Sequence, residues 1–319
     1  MQLFPKAERF WSEISQYRGS AAPYIIRRVL LFGLIALLIT LLQKHPKFPD
    51  VGIPLTPYEI LGAALGALLV LRTNSGYERW WEARKLWGGM VNQCRNLVIQ
   101  ALAYGPDDPE WRRQMVVWTA AFAHVCRRSL RGQPTVPELE PLVGQTKAGR
   151  VASAEHMPSA VALIMGWLLH EGLEKGMERL AFNRAEEQRS LLIDHIGACE
   201  RILKTPLAVA YSIQIRQFIF VFLVALPFGI VGKVDWLTPL VTMLVAYPIL
   251  ALDEIGVELQ NPFSTGRLNH LPLDDLCVNL ERNLMFLLIR REEISSDAPL
   301  HGLEDDHGLS GENIMTWNR

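Results

Sequence analysis

The chain has 319 residues, half of them hydrophobic, and a mean hydropathy of +0.13, which is rich for a soluble protein. Its 32 basic and 33 acidic residues leave a formal net charge of -1 with no uncompensated basic region, which argues against a nucleic-acid partner. The four cysteines, Cys94, Cys126, Cys199 and Cys277, are scattered without a CxxC pair; they read as buried free thiols suited to a reducing compartment.

Residues 1 to 20 lack the apolar core of a secretory signal. Leu3, Phe4, Phe10, Trp11, Ile14 and Tyr17 instead recur at helical spacing, as in an interfacial helix packed on the body of the protein. A first membrane span is expected over about 24–43. Its uncharged part, Val29 to Leu42, is short of the roughly 20 residues a span needs. Arg27 and Arg28 can supply the missing turn by snorkelling to the interface. With Lys6, Arg9 and Arg18 they place the N-terminus in the cytoplasm. Residues 44 to 56 carry three prolines and form a short external loop.

The second span is expected over about 57–72, with Pro57 in a favourable first-turn position. Gly62 and Gly66 are spaced to let helix backbones approach closely. At Arg72 the composition switches to Tyr77, Glu78, Arg79, Trp80, Trp81, Glu82, Arg84, Lys85 and Trp87 while the helical character continues. A membrane helix thus runs on into a cytosolic one. From 76 to about 205 the pattern is that of a soluble helical bundle: one helix to Tyr104, then one capped by Asp107 or Asp108 and running to about Leu130. A Gly/Pro break follows, then helices from about Ser159 to Gly172 and Met177 to Leu203. No alternating strand pattern competes.

A third span is expected over about 213–232, with a kink at Pro227, and a fourth over about 237–255, joined by a tight turn at Val234-Asp235. Four spans return both termini to the cytoplasm. Residues 256 to 294 complete the cytosolic part with ELQNPF, a loop and a helix from Asp274 to about Arg291, and 295 to 319 form a polar tail.

The segment RTNSGYERWWEARKLWG, from Arg72 to Gly88, followed by the later ELQNPF, resembles the bestrophin family of pentameric ion channels in its bacterial branch. The agreement is specific at Arg72, Asn74, Ser75, Tyr77, Arg79, Trp80 and Trp81. It extends more loosely over most of the chain, through CERILKTPLAVAYS (Cys199 to Ser212) and Asn261-Pro262-Phe263. The resemblance implies an all-α membrane protein assembling as a cyclic homopentamer around an ion pore. It also implies that Ala63, Ala67 and Leu71, at i, i+4 and i+8, line a narrow hydrophobic neck. Family members usually carry bulkier apolar residues there, so this neck is expected to be wider or to gate at Leu71 alone. A second, cytosolic constriction is implied between about Met177 and Leu192.

Trp80 and Trp81 are expected to anchor the junction between span and bundle, and Asn74, Ser75 and Tyr77 to satisfy backbone groups there. Arg72 and Arg79 flank the neck, where Glu78, Glu82 or the tryptophans are the expected partners. Eukaryotic relatives carry an acidic calcium-binding run after Asn261-Pro262-Phe263. Here Ser264-Thr265-Gly266-Arg267-Leu268-Asn269 stands in its place, so no calcium-operated gate is expected through this loop.

Other candidate chemistry is weak. His170-Glu171-Gly172-Leu173-Glu174 has a glutamate where a zinc-protease helix needs its second histidine. His124 and Cys126, two apart, point to different faces of a helix. Asp194, His195, Cys199 and Glu200 can meet as helical neighbours, most simply as a solvated or intersubunit face. No phosphate loop, nucleophile elbow or dinucleotide fingerprint occurs, which disfavours an enzyme. No metal or other cofactor is expected. The reading is a channel for small monovalent ions in the bacterial inner membrane, with a cation such as sodium set slightly ahead of chloride. The alternative is a non-conducting scaffold or sensor binding a cytosolic partner.

Overall fold

A computed structural model describes residues 20–45, 54–206, 208–266 and 269–291, and every regular element among them is helical. The N-terminal amphipathic segment, most of the external loop, Arg267-Leu268 and the polar tail lie outside the described residues. The helices are α1 (Ala22–Gln43), α2 (Thr56–Tyr104), α3 (Pro109–Leu130), α4 (Leu139–Val143), α5 (Gln145–Ala152), α6 (Met157–Glu174), α7 (Arg179–Lys204), α8 (Val209–Val234), α9 (Thr238–Glu258) and α10 (Leu273–Ile289).

Helix α2 organises the rest. Pro57 stands in its first turn with Glu59, where a proline lacks only a hydrogen bond that has no partner and a carboxylate faces the positive end of the helix dipole. The composition switch at Arg72 changes what surrounds the helix and leaves its backbone ladder intact, so it runs 49 residues without a break. It ends at Gly105, where a side chain would overlap the Trp111 ring.

Its two halves join two separate cores. Leu65 and Leu69 pack with Ile25, Val29 and Phe32 of α1, Ile219 and Leu223 of α8, and Ala246 and Leu250 of α9. Ala83 to Leu102 pack instead with α3, α6, α7 and α10. Helix α3 is the centre of this bundle and is buried almost all round between Met115 and Arg127. Asp108 caps it, its carboxylate accepting from the backbone N–H of Glu110 (2.9 Å) and Trp111 (3.1 Å).

The Gly/Pro break holds α4 and α5, two short helices hinged at Gly144, whose φ of +85° favours glycine. Pro227 lies inside α8 and Pro248 inside α9, both within unbroken helices. Between them runs a single 3-10 turn, Asp235–Leu237. Lys44, at the end of α1, pairs with Asp235 at 2.5 Å and sits 4.5 Å over the Trp236 ring, tying the first helix to this turn. The 22-residue α1 and the Ala210–Glu258 hairpin are long and apolar enough to cross a membrane.

Candidate ion pathway along α2

The covered face of α2 carries Tyr58, Leu65, Leu69, Arg72, Gly76, Ala83 and Trp87. The opposite face is left bare by every described element of the chain. Ala63, Ala67 and Leu71 all lie on it, with Leu71 58% exposed. The same row continues upward to Glu59 and downward to Asn74 and Glu78, all exposed. The three expected neck residues therefore share one uncovered face along a single continuous helix.

Of the two glycines on this helix, Gly62 approaches Phe222 of α8, where an added Cβ would meet the ring at 3.3 Å. Nothing lies within 4 Å of a Cβ at Gly66. Close approach within the chain is a property of Gly62.

The two collar arginines do not pair with Glu78, Glu82 or the tryptophans. Arg72 is 1% exposed and forms an ion pair with Asp253 of α9, itself 4% exposed. Asp253 also receives Arg216 of α8 at 3.4 Å, and the adjacent Glu254 receives Arg28 of α1 at 3.2 Å. Arg79 reaches the C-terminal end of α7 and donates to the carbonyls of Ile202, Thr205 (2.7 Å) and, on the far side, Gln260 (3.4 Å). The physical reason is helix geometry. Both arginines point to the covered face, and the nearest acceptors there belong to other helices.

Of Asn74, Ser75 and Tyr77, expected to satisfy backbone groups, Ser75 alone bonds a carbonyl among the described residues; Asn74 is exposed and Tyr77 stacks. Ser75 donates to the Leu71 carbonyl at 3.0 Å, a back-bond along the helix. Tyr77, Trp80 and Trp81 stack with ring centroids 6.2 to 6.5 Å apart. Trp80 Nε1 donates to the Asn269 carbonyl at 2.6 Å, so the tryptophan holds the loop after the Asn261-Pro262-Phe263 motif.

That motif is a structural corner. Asn261 Oδ1 accepts from the Phe263 N–H at 3.3 Å, Phe263 is fully buried, and the Leu271 N–H closes the loop on the Pro262 carbonyl at 2.9 Å. Arg131 donates to the Phe263 carbonyl at 3.2 Å and pairs with Asp274 at 2.8 Å. Asp274 also takes Arg127 at 2.9 Å, and the hydrogen bond from Arg131 holds its carboxyl below the usual carboxylate range. Among the described residues no group of three or more His, Cys, Asp or Glu side chains is placed to hold a metal.

The weaker candidates disperse. His124, 1% exposed, meets Glu281 of α10 at 2.7 Å, and burial pushes its pKa down. Asp194, His195, Cys199 and Glu200 do not form one cluster. His195 lies against Gly89 of α2, Cys199 is buried in the bundle, and Glu200 pairs with His156 at 2.6 Å. His170 and Glu174 form a surface pair at 3.5 Å. All four cysteines are free and buried; burial raises their thiols, that of Cys199 and that of Cys277 to about 12.

The sequence and the overall fold match known proteins. Residues 1–285 match the family model described as Bacterial/Fungal Bestrophin protein. The chain belongs to the bacterial and fungal bestrophin family. It is therefore a membrane protein of an ion-channel family. A protein from Nostoc sp. named voltage-dependent anion channel-forming protein is 36% identical over 284 residues, 87% of this chain and 92% of that one. The similarly named YneE of Escherichia coli is 31% identical, covering 89% of this chain and 93% of its own length. The crystal structure of a bacterial bestrophin homolog from Klebsiella pneumoniae superposes with a TM-score of 0.76 at 27% identity, over 83% of this chain and 98% of that one.

Sequence reasoning missed the Asp253 and Glu254 anchors, although the signal was present. Two adjacent carboxylates at the end of an apolar span mark ionisable groups that need buried partners.

Proposed function

We propose that the chain forms a cyclic homopentamer whose five α2 helices enclose a path for small monovalent ions across the bacterial cytoplasmic membrane. The observation that carries this reading is the bare row on α2: Ala63, Ala67 and Leu71 are uncovered although the opposite face of the same helix is fully packed. One row cannot enclose a path, and five related by symmetry can. In this assembly α1, the first half of α2, α8 and α9 are the spans, and both termini lie in the cytoplasm. The outward leucines Leu30, Leu34, Leu38 and Leu41 of α1, with Leu240 and Leu244 of α9, are exposed and suit lipid contact.

An apolar ring gates by dewetting and gives no sign preference. With two alanines and one leucine the neck is widest at Ala63 and Ala67 and narrowest at Leu71. Between Met177 and Leu192 the large apolar side chain left exposed is Leu180, 68% accessible at the start of α7, and we assign the cytosolic constriction to it. Planar-bilayer recording of purified protein tests the reading. Current that rises when Leu71 is replaced by alanine is expected. Silence of both proteins contradicts it and favours a non-conducting scaffold.

A further inference from the structure

The row on α2 is apolar only in its middle. Four residues before Ala63 stands Glu59, and seven after Leu71 stands Glu78, with Asn74 between. Both glutamates are exposed, and neither takes part in an ion pair among the described residues. Their neighbours behave differently. Glu82, on the next turn, is tied to Arg201 at 3.1 Å. The cations at this depth turn away from the row: Arg72 is held by Asp253, and Arg79 by the carbonyls that end α7. The first cation of the row itself is Lys85, seven residues beyond Glu78.

We propose that Glu59 and Glu78 set the charge preference of the path, admitting cations such as sodium over chloride. This rests on the channel reading above. Under five-fold symmetry each glutamate becomes a ring of five carboxylates, one at each end of the apolar neck. Partly dehydrated ions crossing that neck meet a negative potential on entry and again on exit, which raises the local concentration of cations and excludes anions. The apolar ring sets the barrier height for all ions; the two carboxylate rings set its sign. Glu59 also faces the positive end of its own helix dipole. The purely structural role this suggests would leave selectivity untouched when the charge is removed.

The experiment is the reversal potential of purified protein in planar bilayers under asymmetric NaCl, for the unaltered chain, Glu59→Gln, Glu78→Gln and the double variant. The isosteric amide keeps size and polarity, and exposed positions tolerate it without loss of folding. The expected result is a potential near the sodium equilibrium value for the unaltered chain. Each single variant then loses at least about threefold in the sodium-to-chloride permeability ratio, and the double variant loses more. A chloride-directed potential in the unaltered chain, as the names of the relatives suggest, overturns the inference while leaving the channel reading intact. So does a sodium-directed potential that the double variant does not move. Absence of current in every protein overturns the channel reading and this inference with it.

Discussion

The Arg72 guanidinium and the Asp253 carboxylate form an ion pair across 181 residues of sequence, one residue below Leu71, with both side chains almost wholly removed from solvent. The pair fixes the rotation of α2 about its axis. Because Arg72 must face α9, Leu71 and its row must face away. The bare row is thus set by a contact on the opposite side of the helix.

Breaking this pair from one side leaves a buried charge without a partner. Asp253→Ala should cost about 3–5 kcal/mol of stability, whereas Arg72→Leu combined with Asp253→Leu should cost far less or nothing. Thermal unfolding of the detergent-solubilised protein, followed by tryptophan fluorescence, separates the two. Equal losses in the single and double variants would contradict an ion-pair role.

Arg79 acts through its fork. Its donors meet carbonyls at the end of α7 and beyond α9, where unpaired carbonyls and the negative end of a helix dipole favour a planar cation. Arg79→Lys keeps the charge and loses most of these bonds, so a loss of about 1–2 kcal/mol is expected by the same unfolding measurement. A lysine variant as stable as the original would mean that charge alone suffices.

His195 lies against Gly89, where an added Cβ would come within 2.6 Å of the ring. Burial lowers its pKa from the usual 6.5, with Asp194 opposing, and burial lowers that of His124 likewise. A histidine whose folded pKa is depressed binds its proton more readily when unfolded. Its stabilising contribution is therefore complete above pH 6.5 and falls away as pH drops below that value toward the folded pKa. The melting temperature should decline over this window, and His195→Gln should flatten the decline. Unchanged pH dependence in that variant would show that the ring is not desolvated in the assembly.

Much of the fold was legible because its signals are local. Apolar runs marked the helices at either end, the Asp107-Asp108 pair marked the cap of α3, which Asp108 makes, and the change at Arg72 marked where one core gives way to the next. The collar residues were legible only as a motif. Helical spacing suggested near neighbours such as Glu78 and Glu82 as partners for Arg72 and Arg79. The actual partners, Asp253 and the Ile202 and Thr205 carbonyls, lie more than a hundred residues away and are chosen by packing. The same limit hid the latch from Arg131 to Phe263 and Asp274, and it hid α4 and α5, whose short helices sit among glycines and prolines that read as a simple break.

Passage of ions along the bare row of α2 is tested by Ala67→Cys, recorded in bilayers before and after a cationic methanethiosulfonate. The native thiols are buried and held protonated, so they stay silent to the reagent. Leu34→Cys, on the outward face of α1, serves as control. The account predicts rapid loss of current at position 67 and none at position 34. Current that survives full modification of position 67 would place the ion path elsewhere.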